Sequence, residues 1–376
     1  MAGRLTELAV VFGRLGATAF GGPAAHVALM REEVVRRRGW LDDASFLDLL
    51  GATNLIPGPN STELAIHIGF LRGGLPGLVV AGLAFIVPAA GVTLALAWLY
   101  VRWSGLPAFE GLLYGVKPVV LAIVIQAIAA LAPHAARTAR LRWLGAAVAL
   151  AAAFGVNEIA LIFAAGAVSI VSARLGGAGS ALAALGIAGY SAPAVAALPA
   201  ATPTLGALFL AFAKIGSVLF GSGYVLLAFL RAELVERLGW LSESQLIDAI
   251  AVGQITPGPV FTTATFIGYV LAGPGGALAA TGGIFAPAFV FVALSAPFLA
   301  RMRASPVAGA FLDGVNVASL ALMAVVVGQL GLAAIVDAPT ALLGLAAAAA
   351  LLMLKPNPTW ILLAGGAAGW LLHAAR

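Results

Sequence analysis

The 376-residue sequence contains no cysteine and only four histidines. Disulfides, thiolate metal sites and cysteine nucleophiles are thereby excluded. The scattered histidines supply no nucleophile–base pair or metal-ligand set of the kind an enzyme site needs, so no catalytic residue, metal or cofactor is expected. Charge is scarce too: Asp, Glu, Lys and Arg make up 9% of the chain against 62% hydrophobic residues, with a mean hydropathy of +1.06. A soluble domain of this length cannot cover so much apolar surface with so little charge. What is present instead is a series of apolar runs of about 18 residues or more, the length that crosses a hydrocarbon core of ~30 Å. These runs do not alternate apolar and polar residues as the strands of a membrane barrel would. The fold class is an all-α integral membrane protein. The N-terminal "MAGRLTELAVVFGRLG" lacks a signal pattern and cleavage site and is expected to be mature sequence. The net charge of +5 is mostly arginine in short loops, which reads as topology through the positive-inside bias rather than as nucleic-acid contact.

The chain repeats itself. "FGRLGATAFGGPAAHVALMREEVVRRRGWL" at 12–41 returns as "FAKIGSVLFGSGYVLLAFLRAELVERLGWL" at 212–241, and Asp48, Pro57, Gly58, Pro59 and Thr62 recur at the same offset of 200. After a one-residue slip, Pro88 matches Pro287 and Gly115-Val116 matches Gly314-Val315. The halves are 1–175 and 204–376, joined by a Gly/Ala/Pro-rich connector at 176–203, and repeats of this size are how many transporters are built. Arginines crowd after segment one (Arg31, Arg36, Arg37, Arg38) and segment four (Arg137, Arg140, Arg142), whereas in the second half Arg301, Arg303 and Lys355 follow other segments. With basic loops on the cytoplasmic side, the pattern predicts an inverted-topology repeat of about six helical segments per half. In that scheme the second segment (46–71) enters and returns, segments three (75–101) and four (111–132) cross, and each half crosses five times. If segment two and the stretch at 180–198 both span, the halves are still inverted, with thirteen crossings.

The second segment is interrupted in both halves, by "NLIPGPNSTE" at 54–63 and "QITPGPVFTT" at 254–263. Pro57 and Pro257 end one helical piece at the residue before them. Pro59 and Pro259 suit the first turn of the next, and Gly58 and Gly258 lie between. Asn60 and Glu63 have the spacing of a capping box. Arms of ten to twelve residues are ~15–18 Å long, which puts both breaks near the midplane, where irregular backbone is tolerated only against protein or a water-filled cavity. A helix starting there presents free N–H groups and the positive end of its dipole, an anion site. Asn54, Asn60, Ser61 and Thr62 cluster at the first break, with Gln254, Thr262 and Thr263 at the second. A tight hairpin turn without binding function is the plainer reading.

Arg14, in the apolar run 8–29, and Lys214 occupy equivalent places. A Lys or Arg at the centre of a span costs about 2.5–3.5 kcal/mol on the insertion scale, so an anionic partner is expected. A carboxylate such as Glu7 or Glu63 is one candidate; a bound substrate anion is the other, favoured by the excess of cations over acids in these segments. Lys117 has Asn316 as its repeat partner and lacks the symmetry argument. His26 and His67 read as structural hydrogen-bonding histidines, or as proton-coupling groups because histidine titrates near neutrality; Glu63 joins them as a gating or coupling candidate. "RxExVxRxGWL" at 31–41 and 231–241 reads as an amphipathic loop anchored by Trp, or as a gate built from Arg31–Glu33 and Arg231–Glu233 pairs.

"FGGPAAHVALMREEVVRRRGWL", "FLDLLGATNLIPGPNSTELAIHIGF" and "GQITPGPVFTTATFIGY" closely resemble the signatures of the chromate ion transporter family in its long-chain, two-domain form. The resemblance covers both halves. It implies a multi-pass carrier of the plasma (inner) membrane that exports chromate and confers chromate resistance; other members are linked to sulfate or other oxoanions. The family pattern carries over onto Phe20, Gly21, Gly22, Pro23, His26, Arg31, Glu33, Asn54, Pro57, Gly58, Pro59, Asn60, Ser61, Thr62, Glu63 and His67. Val260-Phe261 stand where the first half has Asn60-Ser61, so unequal sites are expected. A tetrahedral dianion wants convergent N–H and O–H donors and one or two cations in a dry pocket. Two negative charges leaving a negative interior gain about 4.6 kcal/mol per 100 mV. The expected mechanism is alternating access of one repeat against the other, with proton coupling and a homodimer left open. Uptake or exchange of sulfate or another oxoanion, and an anion channel, are the alternatives.

Overall fold

The computed structural model describes residues 2–20, 22–175, 203–220, 223–296, 305–354 and 356–374. The expected connector, apart from Pro203, lies outside the described residues, as do Gly21, Arg301, Arg303 and Lys355. The described residues are helical throughout, with no strand. The first half holds α1 (Ala2–Thr18), α2 (Gly22–Arg31) running into a π-helical turn (Glu32–Arg37), α3 (Asp43–Thr53), α4 (Asn60–Trp103), α5 (Pro107–Ala135), α6 (Ala139–Ala153) and α7 (Glu158–Leu175). The second half repeats the order: α8 (Leu205–Val218), α9 (Leu226–Leu230) with its π-helical turn (Arg231–Arg237), α10 (Glu243–Ile255), α11 (Thr263–Ser295), α12 (Pro306–Ala334), α13 (Ala338–Met353) and α14 (Pro358–Ala374). Among the described residues, four segments, Asn60–Trp103, Ala108–Ala135, Val260–Ser295 and Pro306–Ala334, are long and apolar enough to cross a membrane. Large apolar side chains such as Leu278, Leu332 and Leu345 stand exposed, an exterior that suits lipid and not water. This is a multi-pass membrane protein.

Helix starts follow from local chemistry. Ser242 and Gln245 close a capping box on α10, and Asp337 and Thr340 another on α13. Asp42 accepts the Ser45 amide at 2.7 Å ahead of α3, and that bond holds its carboxyl below the usual carboxylate range. Two expectations are corrected here. The apolar run 8–29 is not one helix: α1 ends at Thr18 and α2 starts at Gly22, with α8 ending likewise at Val218. Within the 31–41 motif Glu32–Arg37 form a π-helical turn rather than a loop, and Trp40, just beyond it, lies under the guanidiniums of Arg38 and Arg72, at 5.5 and 4.3 Å from the ring centre.

α4 and α11 are not single rods. Gly73 and Gly74 leave helical geometry, Gly74 at φ 61°, and Ala272 and Gly273 do the same, Gly273 at φ 62°. Eight residues of straight helix rise ~12 Å, yet a Cβ on Gly69 would lie 2.4 Å from the Gly77 carbonyl oxygen. The chain therefore folds back on itself, and Thr265 meets Thr281 at 2.8 Å across the equivalent bend. Each is a helical hairpin with a short arm that starts at the PGP break and a long arm that crosses.

The halves are laced together. α1 packs on α4 and α8 on α11, within each half, while α4 also packs on α11 and α5 on α12. α5 carries α13 and α14 of the second half, and α12 carries α6 and α7 of the first. Small residues permit the contact: a Cβ on Gly115 would meet the Gly365 carbonyl oxygen at 2.0 Å, and one on Gly314 would meet that of Ala165 at 2.2 Å. Without a hydrophobic drive between helices in lipid, such close backbone approach is what holds them.

Candidate functional site

At the two breaks the chain leaves helix in the same way. α3 ends at Thr53 and α4 begins at Asn60, while α10 ends at Ile255 and a 3-10 turn, Val260–Thr262, leads into α11. Pro57, Pro59, Pro257 and Pro259 keep helix out of the intervals. Gly58 (φ 143°) and Gly258 (φ 76°) take backbone angles that side-chain-bearing residues rarely adopt. Their amides reach across the molecule: Gly58 N–H donates to the Leu219 carbonyl at 2.7 Å, and Gly258 N–H to the Ala19 carbonyl at 2.9 Å. Residues 19 and 219, like 58 and 258, are repeat equivalents. The two breaks therefore lie side by side, each tied to the end of the other half's first helix.

The polar groups at the two breaks are not equivalent. At the second, Thr262 donates to the Pro259 carbonyl at 2.9 Å and receives Thr93 of α4 at 3.2 Å. Thr263 donates to Val260 at 2.7 Å, and Gln254 lies beside Thr263 in a small apolar recess. That break is internally satisfied. At the first, the Thr62 hydroxyl, both Glu63 carboxyl oxygens, His67 Nε2 and Asn60 Oδ1 are buried without a hydrogen-bond partner among the described residues. Thr62 and Glu63 are 0% exposed and His67 1%. Each such group costs about 1–3 kcal/mol, and a run of them along one helix start calls for an explanation.

The remaining first-break residues are engaged. Asn60 Nδ2 donates to Asn54 Oδ1 at 2.7 Å, and Asn54, exposed, donates to Leu50. His26 Nε2 lies 3.1 Å from the Ala19 carbonyl and therefore donates to it; Nδ1 accepts from the Ser61 hydroxyl at 3.3 Å. The Ala19 oxygen thus receives both His26 and the Gly258 amide. The Asn60–Glu63 capping box does not form: Pro59 holds the N-cap position without a side-chain cap, because the Glu63 side chain turns inward, against Gly58.

The charged residues require corrections. Arg14 pairs with Glu33 and Lys214 with Glu233, the latter at 2.7 Å, so the carboxylate partners are these rather than Glu7 or Glu63. Glu7 pairs with Arg38 and Arg72. The Arg31–Glu33 and Arg231–Glu233 gates do not form either. Arg31 binds Asp43, Arg231 binds Glu236 and Glu243, and Glu33 and Glu233 turn inward to α1 and α8 while keeping Arg37, Arg38 and Arg237 beside them. The signal was available: Arg14 to Glu33 and Lys214 to Glu233 are both spaced by 19 residues.

Besides the recess at Gln254, two larger cavities lie among the described residues, and their linings do not include the first break. One of about 370 Å³ is bordered by Lys214, Arg231, Glu233 and Arg237. The other, about 300 Å³, holds a cross-half cluster that sequence reasoning missed except for Lys117. Its ammonium is 2.5 Å from Ser244 Oγ and 3.5 Å from the buried Asp248, which also accepts the Tyr100 hydroxyl at 3.0 Å. Thr62, Glu63 and His67 at the first break are closed off from the surface.

Membrane-crossing helices, an apolar exterior and an occluded polar centre between two laced halves define a multi-pass membrane transporter. The chromate transporter family matches residues 6–170 and again 206–370. The chain is 35% identical over 372 residues to a chromate transport protein of Cupriavidus metallidurans, covering 96% of this chain and 92% of that one. It is 32% identical over 356 residues to a probable chromate transport protein of Synechococcus elongatus (91% and 88% covered), and 31% over 384 residues to a chromate transport protein of Pseudomonas aeruginosa (97% and 92% covered). No solved structure matches. The chain belongs to the chromate transporter family, a family of membrane transporters and not of enzymes.

Proposed function

We propose that the chain is a secondary carrier of the plasma membrane that exports chromate and so confers resistance. The oxoanion binds at the start of α4, and the two halves, an inverted-topology pair, alternate access around the two breaks. The observation that carries this reading is the first break. Its buried Thr62 hydroxyl lacks a partner at a helix N-terminus, whose first N–H groups have no intrahelical acceptor and whose dipole favours an anion. A tetrahedral dianion accepts hydrogen bonds in several directions and suits such a cluster. The reciprocal Gly58–Leu219 and Gly258–Ala19 bonds support a pseudo-two-fold relation between the halves, and the differing arginine loops support its inverted sense.

Everted membrane vesicles are expected to accumulate labelled chromate. Thr62→Ala and Asn60→Ala each remove a hydrogen bond to a charged ligand, about 1.5–3 kcal/mol, and so weaken uptake roughly 10- to 100-fold. Full uptake in both variants sinks the site. A host expressing the chain tolerates more chromate if the carrier exports; greater sensitivity overturns the direction. Sulfate shares chromate's shape and charge, and its competition against labelled chromate measures how far the same donors serve it.

A further inference from the structure

Glu63 sets a condition on any anion at this break. Its side chain is fully buried, and a Cβ on Gly58 would lie 2.4 Å from Glu63 Oε1, so the carboxyl rests against the PGP glycine. Neither oxygen has a hydrogen-bond partner and no cation pairs with it among the described residues. The neighbouring elements offer no counter-charge. On α1, Arg14 is held by Glu33 and Glu7 by Arg38 and Arg72; on α2, His26 is held by Ala19 and Ser61 and Arg31 by Asp43. α3 adds the acids Asp43 and Asp48, α10 adds Glu243 and Asp248, and Lys214 of α8 is held by Glu233. α11 has no ionisable Asp, Glu, Lys, Arg or His between Thr263 and Ser295, and on α4 itself only His67 stands near, with Nε2 unpartnered. A bare carboxylate in such surroundings is costly, and a dianion beside it more so. The neutral acid fits, and it also brings an O–H donor to an anion.

We infer that an oxoanion occupies the first break only while Glu63 carries a proton, that this proton leaves with the anion when the break opens to water, and that the emptied carrier resets with Glu63 ionised, so that one proton travels with each dianion. This rests on the carrier reading above and deepens it. The moving unit then bears one net negative charge. Membrane voltage drives it outward, while a more acidic exterior opposes it.

The test uses the purified chain in liposomes with the voltage clamped by potassium and valinomycin, and labelled chromate as the probe. In the wild type a pH gradient alone, at zero voltage, is expected to concentrate chromate on the alkaline side, following the proton. In Glu63→Gln the ratio of pH-driven to voltage-driven flux is expected to fall at least tenfold, whatever rate the variant retains, and Glu63→Asp is expected to restore it. Because the Glu63→Gln variant meets the same solution chemistry of chromate, the ratio separates the carrier's proton from the ion's own. A wild type driven by voltage yet indifferent to the pH gradient overturns the inference, and this arm decides even if Glu63→Gln does not reconstitute. So does a Glu63→Gln variant that keeps the response while His67→Gln loses it. If neither voltage nor pH moves chromate through the wild type, the carrier reading itself fails and this inference with it.

Discussion

Arg14 and Lys214 are the residues whose role changes most once their neighbours are seen. Each is about half exposed, 51% and 43%, while the carboxylate it meets is buried, 6% and 8%. The cation therefore serves the buried acid, not the reverse. Lys214→Ala leaves Glu233 with Arg237 alone; with screening at the exposed lysine taken into account, the loss is about 1–2 kcal/mol, below the full cost of a broken buried pair. Thermal unfolding in detergent should show it as a lowered midpoint. The reversed pair, Lys214→Glu with Glu233→Lys, should recover most of it. A direct role in binding chromate predicts otherwise: the reversed pair would restore stability and leave transport abolished.

Among elements, the contact faces are set by glycine. A side chain at Gly115 runs into the backbone of α14, and one at Gly314 into that of α7. Gly115→Val and Gly314→Val should each destabilise by about 1–3 kcal/mol or more, because backbone does not yield as a flexible side chain does; reduced yield of folded protein in mild detergent is the measure. The sequence made the duplication, the PGP breaks and the crossing segments legible, since proline and apolar length act locally. It did not disclose that α1 stops at Thr18, although the glycines after Phe20 and Phe220 hint at it. Nor did it disclose which half each helix serves. Gly115 faces Gly365 through a packing choice made between segments far apart in sequence, and nothing in the neighbourhood of either residue encodes it. The asymmetry of the breaks was half visible in Val260-Phe261. That Thr262 would be satisfied by Thr93 was not, because Thr93 lies on a long arm whose face is fixed by tertiary packing.

For the whole molecule, the two halves meet at the breaks, and the alternating access proposed above requires that they move there. Thr93 and Thr262 bring α4 of one half to the second break of the other, with hydroxyl oxygens 3.2 Å apart, and the chain has no native cysteine to confuse the result. Thr93→Cys with Thr262→Cys should form a disulfide under oxidation. Chromate flux should stop when the bond forms and return on reduction; undiminished flux through the oxidised, fully cross-linked protein shows that the halves need not separate at this point.

The lacing of α5 onto α14 also has a history within each molecule. Gly115 is made 250 residues before the Gly365 it packs against. At synthesis rates of about 5–20 residues per second, α5 waits in the bilayer for roughly 10–50 s before its cover exists. During that interval its glycine-lined face is open to any other nascent helix. The order of translation thus leaves the covering of this face of α5 to the final two helices.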